Sequence, residues 1–254
     1  MPGRQLRWLL IGNSRWHWAL ADAAGGPGEA GLHFLHQPPS ASPVEPPLAW
    51  AAVGPVPPQA ALPAAARLGL DAVPLDGAPP WLGIDRALAG WWAARLTGGP
   101  VLVADAGTVL SFTRVDARGR FVGGRLMAGA ALQLAAMGSG TQGLPSLAGG
   151  LAAGAGGEAW PLATDAAMLT GVAEGLAAAV LEAGRQALAL EAGCRIVLTG
   201  GDGPTLLPLL RRWPELAQED ALLYRPDLCL EALVALRPCP PVGAPQARPR
   251  SSRI

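Results

Sequence analysis

The sequence predicts an α/β fold, and three observations carry the prediction. The chain has 254 residues, half of them apolar and 15% charged. That suits one large domain or two lobes of about 120 residues with a substantial core, and it argues against disorder. Short buried-type strands such as residues 101–104 alternate with Ala-rich helical stretches such as 165–190. Two segments also echo each other. Leu10-Ile11-Gly12-Asn13-Ser14 and Asp105-Ala106-Gly107-Thr108-Val109 each follow a short apolar strand and turn on a glycine into a second strand. A duplicated fold with a cleft between lobes would produce such an echo, but hairpins of this kind are common. On the echo alone, two unrelated hairpins is the simpler reading.

Residues 6–20 read as strand, turn at Gly12-Asn13, strand. Residues 38–80 hold 12 of the 26 prolines, so no long helix or central sheet runs through them. A strand over 48–53 and a helix over 59–68 fit between the prolines. Gly83-Ile84-Asp85-Arg86 opens an apolar helix to about Leu96. A fresh start follows Pro100: a strand over 101–104, a strand over 109–115, a turn at Asp116-Ala117-Arg118-Gly119 and a strand over 121–127. Helices are expected over 129–137 and 165–190, a buried strand over 195–198 and a helix over 205–212. The Pro-rich tail from residue 238, with Arg248, Arg250 and Arg253, is expected to be disordered.

Charge and composition exclude several classes. Lys+Arg and Asp+Glu are both 19, a balance that disfavours a general nucleic-acid or acidic-membrane binder. Every basic residue is Arg, so a Schiff-base lysine, a Walker-type phosphate loop and a protein-kinase site are excluded. Phosphate chemistry here must use backbone N–H groups, arginine and metal ions. Cys194, Cys229 and Cys239 are odd in number and form no C-x-x-C pair, so neither a disulfide framework nor a zinc site is suggested. The apolar run 8–11 is too short for a signal peptide, and no stretch reads as a membrane span. A reducing cytoplasm is the expected compartment.

Three glycine turns stand at strand ends: Gly12-Asn13-Ser14, Asp105-Ala106-Gly107-Thr108 and Thr199-Gly200-Gly201-Asp202-Gly203. Glycine lets backbone N–H groups approach a ligand and form anion nests, and the hydroxyls of Ser14, Thr108 and Thr199 add donors. Any one of these is more often an ordinary turn; three in one chain fit a nucleoside triphosphate held between lobes. Asp105, at a strand end, is placed to hold Mg²⁺ against phosphates or equally to cap its own turn. Asp85, taken alone, reads first as a helix cap and second as a general base beside an anion-binding Arg86. His17 reads as a packed strand residue, and His33 and His36 lack metal-ligand partners. The nine tryptophans read as core or interface residues.

Taken in order, these motifs resemble the type III pantothenate kinases, a branch of the actin-like ATPase superfamily that includes acetate and sugar kinases. The family's opening Asp-x-Gly-Asn-Thr is matched by Leu10-Ile11-Gly12-Asn13-Ser14, with Arg15 and Trp18-Ala19-Leu20 following. Its Gly-x-Asp-Arg is matched by Gly83 to Arg86, and its Asp-x-Gly-Thr by Asp105 to Thr108. Its Gly-Gly-x-x-x-Pro-Gly is matched by Gly123 to Gly129, and its Thr with a following Leu-Pro by Thr141 and Leu144-Pro145. Its later Thr with downstream Ala and Gly is matched by Thr164, Ala167 and Gly171, and its Thr-Gly-Gly-Asp by Thr199 to Asp202. The matches run from residue 9 to about 210. Three departures stand out: Leu10 where the family has its first Asp, His17 where it often has Lys, and Ala128 for Pro. Loss of the first Asp with Gly-Asn-Ser retained resembles a cyanobacterial-type variant.

The resemblance implies two ribonuclease H-like lobes, residues 1–98 and 99–237, with a nucleotide cleft between them. It implies ATP-dependent phosphorylation of pantothenate, the first step of coenzyme A synthesis. Asp85 would be the general base, and Gly83, Arg86 and Thr164 would bind pantothenate. Gly12, Asn13, Ser14, Gly107 and Thr108 would surround the ATP phosphates, and Asp105 would hold a metal. Mg²⁺, a monovalent cation (K⁺ or NH₄⁺) and a homodimer are implied with them. The alternative, favoured by Leu10, is a non-catalytic nucleotide-binding relative acting as an accessory factor.

Overall fold

The structure, a computed structural model, describes residues 5–22, 31–39, 45–151, 158–216 and 221–237. The expected disorder of 238–254 lies outside the described residues. Two mixed sheets are built on one plan. In the first, β1 (Gln5–Ile11), β2 (Trp16–Asp22) and β3 (Leu32–Gln37) form an antiparallel meander, and β4 (Ala49–Ala52) pairs parallel to β1, giving the order β3-β2-β1-β4. In the second, β5 (Val101–Ala106), β6 (Val109–Val115) and β7 (Phe121–Ala128) form the meander. Here β8 (Arg195–Thr199) and β9 (Leu222–Tyr224) continue in parallel from β5, giving β7-β6-β5-β8-β9. The echo between residues 10–14 and 105–109 therefore marks equivalent places in two equivalent sheets, not two unrelated hairpins. This is the two-sheet α/β architecture that the sequence predicts.

Two helices lie between the sheets. α1 (Ile84–Thr97) packs on β5 and β6, α5 (Leu228–Leu236) packs on β1, β2 and β4, and the helices pack on each other. Their shared core takes Trp8, Leu10 and Ala51 from the first sheet, Val101, Val103 and Val115 from the second, and Leu88, Leu228 and Leu233 from the helices. α1 starts at Gly83, with Asp85 in its first turn and Arg95 in its last, each matched to the helix dipole. It stops at Gly98, whose φ of 65° lets its N–H reach the Ala94 carbonyl. Asp85 is therefore inside the helix rather than its N-cap. β3, β9 and α5 had no expectation attached to them: their short apolar runs carry no turn punctuation that separates strand from helix.

The other faces are covered separately. α2 (Ala130–Gly140), α3 (Thr164–Leu190) and α4 (Gly203–Leu210) bury the far side of the second sheet, with Val172, Leu176 and Val180 against Leu102, Ala104 and Phe112. α3 is long and apolar enough to cross a membrane by length and composition, contrary to the expectation that no stretch is; here one stripe of it packs on the sheet. The outer face of the first sheet carries Leu9, Ile11, Trp16, Trp18 and Trp50. It is covered by the Pro-rich segment, where the expected helix over 59–68 is replaced by 3₁₀ turns at Pro58–Ala60 and Ala64–Ala66. Pro63 lacks the N–H that a helix needs and restricts the residue before it; its carbonyl instead accepts the Trp50 indole N–H at 2.8 Å. Four tryptophans, Trp8, Trp16, Trp18 and Trp50, are core, while Trp81 and Trp160 are exposed.

Candidate active site

The sheets meet at the ends of β1 and β5. The Gly12 turn closes on itself through Gly12 N–H to the Arg15 carbonyl at 2.9 Å. Beyond it, Ser14 Oγ lies 2.9 Å from Thr108 Oγ1, so a hydroxyl from the first sheet touches one from the second. The third glycine turn is beside the second: Asp202 N–H donates to the Ala106 carbonyl at 2.9 Å, and Gly200 faces Asp105 Oδ1. All three turns thus gather at one junction. Gly129 explains the family-like glycine after β7. A Cβ there would overlap the Gly107 carbonyl oxygen and come within 2.7 Å of the Thr108 oxygen, so only glycine lets β7 close over this turn. Thr199 behaves differently from the expectation. It is buried, and its hydroxyl donates to the Pro226 carbonyl at 3.2 Å rather than facing a ligand.

Two carboxylates lie at the junction. Asp105, the fifth residue of β5, has Ser111 and Thr199 as its register partners on either side. Burial, followed by the charge of Asp85, pushes its carboxyl up to about 7. Asp85 is also raised, by burial first, against the opposing help of the Arg86 N–H, which donates to Asp85 Oδ1 at 2.8 Å, and of the Arg86 charge. Two like charges in a desolvated junction disfavour one another, and a cation or a proton relieves both. Cys229, from α5, donates to the Asp85 carbonyl at 3.5 Å, and burial with the two aspartates keeps it firmly in the thiol form.

Arg86 points away from the carboxylates, toward the second sheet. Its Nε donates to Thr113 Oγ1 at 3.1 Å and its Nη2 to the Phe112 carbonyl at 3.2 Å, with the guanidinium over Phe121 at 5.9 Å. Gly124 leaves the room for it: a Cβ there would overlap both Arg86 Nη2 and the Phe112 oxygen. Gly83 is the helix cap against which Asp85 folds, a Cβ at that position lying 2.5 Å from Asp85 Oδ1. Thr164 opens α3 and is exposed; its side chain makes no hydrogen bond among the described residues and is not brought to Asp85 or Arg86.

For a metal, Asp105 supplies one hard carboxylate at the glycine turns, and Mg²⁺ is commonly held by one or two carboxylates together with phosphates and water. The described residues contain no cluster of three or more His, Cys, Asp or Glu side chains placed to bind a metal. The donor set therefore fits a cation that arrives with phosphates, not one caged by protein. Leu10, at the place equivalent to Asp105, is 6% exposed within the shared core. Sequence reasoning passed over Asp227 and set His36 aside. The structure places His36 Nδ1 2.8 Å from His17 Nδ1 and His36 Nε2 3.0 Å from Asp227 Oδ1. The signal that could have found the pair is two histidines at matching positions of adjacent strands.

The family model described as type III pantothenate kinase matches residues 56–186. A type III pantothenate kinase of Synechococcus elongatus is 36% identical over 232 residues, covering 85% of this chain and 92% of that protein. One from Synechocystis is 36% identical over 236 residues, covering 87% and 89%. Among solved structures, a Campylobacter jejuni protein described as a Baf family transcriptional activator superposes with a TM-score of 0.57 at 17% identity, covering 91% of this chain and 96% of that one. That likeness is one of fold. The matched residues span the helix that carries Asp85 and Arg86, the strand that carries Asp105, and most of α3, and the chain belongs to the type III pantothenate kinase family.

Proposed function

We propose that the chain transfers the γ-phosphoryl group of ATP to the primary hydroxyl of pantothenate. The observation that carries the reading is the junction itself: hydroxyls of two glycine turns in contact across the sheets, with Asp85 and Asp105 beside them. Phosphoryl transfer asks for positioning and charge stabilisation rather than a covalent nucleophile, so a chain without lysine loses nothing essential. The N–H groups and hydroxyls of Gly12, Asn13, Ser14, Gly107 and Thr108 surround the phosphates. Asp85, raised by burial, accepts the substrate hydroxyl proton. Arg86 uses the N–H groups it does not give to Thr113 and Phe112 to hold the pantothenate carboxylate, and Gly83 keeps the loop before it close. Thr164, exposed at the start of α3, is assigned to the pantothenate backbone by the family resemblance alone.

Asp105 holds Mg²⁺, which when bound offsets charge on the phosphates. A monovalent cation, K⁺ or NH₄⁺, would be bound alongside it. The lobes are taken as residues 1–98 and 99–237, with α1 and α5 crossing between them, each packed on the other lobe's sheet. The protein is a cytoplasmic homodimer; supporting the dimer, the edge strand β7 and α2 leave Val122, Leu126, Met127 and Leu132 exposed. The non-catalytic alternative is not favoured, because the kinases match over most of this chain. A coupled ADP-release assay with Mg²⁺–ATP, with and without pantothenate and with and without K⁺, tests the reading. Release that depends on pantothenate is expected; equal release without it contradicts the reading.

A further inference from the structure

We propose that His17 is a phosphate-binding residue of the nucleotide site, and that His36 and Asp227 position it through a relay that takes up one proton when a nucleoside triphosphate seats on the Gly12 turn. This rests on the nucleotide site proposed above, not on pantothenate as the acceptor.

The geometry begins with sheet register. Leu10 of β1, His17 of β2 and His36 of β3 stand opposite one another in one row, so their side chains leave the same face of the sheet. That face is the one covered by α5, and Asp227 is the residue that caps α5. The row therefore reads His17, His36, Asp227, with 2.8 Å between the two Nδ1 atoms and 3.0 Å from His36 Nε2 to Asp227 Oδ1. The rings meet edge to face at 5.0 Å between centroids. Asp227 Oδ1 is buried without an aligned hydrogen bond, so its charge faces His36 with capacity in reserve. At the other end, His17 Nε2 lies 3.1 Å from where a Cβ of Gly12 would stand, placing that nitrogen against the first phosphate turn.

The proton inventory follows from these contacts. In the neutral state the Asp227 carboxylate faces His36 Nε2–H, and His36 Nδ1 accepts from His17 Nδ1–H. His17 Nε2 then carries a lone pair at the Gly12 turn. A lone pair repels a phosphate oxygen. A proton from solvent on His17 Nε2, with the shared proton crossing to His36 Nδ1, leaves a neutral His17 that donates Nε2–H to the phosphate. It also leaves a His36 imidazolium against Asp227. No bond other than N–H is made or broken. The groups facing His17 are His36, Arg15 and Asp227. Burial, then His36 and Arg15, hold its imidazole down at about 4, with Asp227 opposing. The empty site is thus kept without the proton at neutral pH, and phosphate is what draws it in. Leu10, opposite His17 in the register, offers no charge of its own.

The test is calorimetric titration of the full chain with Mg²⁺ and a non-hydrolysable ATP analogue, without pantothenate, in buffers of different ionisation enthalpy from pH 6 to 8. Uptake approaching one proton is expected, with affinity weakening as pH rises. His17→Gln keeps an N–H donor but cannot titrate, so proton uptake and the pH dependence should vanish while affinity at high pH is retained. His17→Phe should weaken binding about tenfold or more, the scale of a lost charge-assisted hydrogen bond. His36→Phe and Asp227→Asn should reduce the proton count without removing the donor. Equal proton uptake in wild type and His17→Gln, no uptake in wild type, or no binding of the analogue overturns the relay. Pantothenate-dependent ADP release is read separately. If it is absent while uptake follows His17, the choice of acceptor fails and the relay stands; if it is present and His17→Gln binds the analogue with an unchanged pH profile, the relay alone fails.

Discussion

In the first sheet the row crossing the end of β1 runs Ala51, Leu10, His17, His36; in the second, the equivalent row crossing β5 runs Thr199, Asp105, Ser111, Leu126. The strand plan is the same on both sides, and so is the glycine turn that follows the first strand. The difference is what fills the row. Leu10 is sealed under α1 and α5 with Trp8 and Ala51, whereas Asp105 stays at the junction beside Asp85. Repeating one strand plan therefore sets two glycine turns against each other across the junction, but it does not oblige both to carry charge. One side holds the carboxylate; the other is built for burial and reaches polarity through His17.

The sharpest break of the comparison is at Asp105. Asp105→Asn should lower phosphopantothenate formation by about 10²–10³, the scale of a lost electrostatic group at a reacting phosphate, while circular dichroism stays unchanged. The same variant reports on the folded carboxyl. Its pKa is raised from 3.8 to about 7 in the ligand-free chain. The folded state thus binds the extra proton between those values, and stability from this group is present below pH 4 and lost as pH rises through 7. Urea unfolding at several pH values should show that slope in wild type and a flatter one in Asp105→Asn. Asp85→Asn should follow, with turnover down by roughly 10² and pantothenate binding largely kept; near-normal turnover would return Asp85 to a helix-end role.

The first sheet should answer to stability rather than rate. Leu10→Asp places a carboxylate in an apolar core and should cost about 2–4 kcal/mol in urea unfolding at pH 7. The loss should shrink at low pH, where the new carboxyl is protonated. A variant as stable as wild type would mean that the row is more open than the structure shows. Arg86→Lys keeps the charge but not the planar fork, and should weaken pantothenate binding by about 1–3 kcal/mol with ATP binding unchanged. Ser14→Ala, which removes the hydroxyl contact between the sheets, should cost least, about 0.5–1.5 kcal/mol in nucleotide affinity.

Much of this was legible in the residues because glycine and proline punctuate the chain where the backbone turns. The hairpins at Gly12 and Gly119 and the helix between Gly83 and Gly98 follow from that punctuation. The Pro-rich cover was misread at 59–68 because apolar composition outweighed Pro63. α5 had no sequence signal tying it to β1, at the other end of the described chain, so the burial of Leu10 and the approach of Asp227 to His36 could not be read. Arg86 was legible as an anion binder but not its rest position on Phe112 and Thr113, which depends on the space left by Gly124.

The central claim is that the carboxylate at the end of β5, without a partner at the end of β1, supports phosphoryl transfer to pantothenate. Phosphorus NMR of a reaction containing the full chain, Mg²⁺–ATP, K⁺ and pantothenate tests it directly, with Asp105→Asn run in parallel. A phosphomonoester resonance that grows with ADP in wild type and is nearly absent in the variant is the predicted result. ATP consumed at equal rates by both chains, or no phosphomonoester from a wild type that binds ATP, would contradict it.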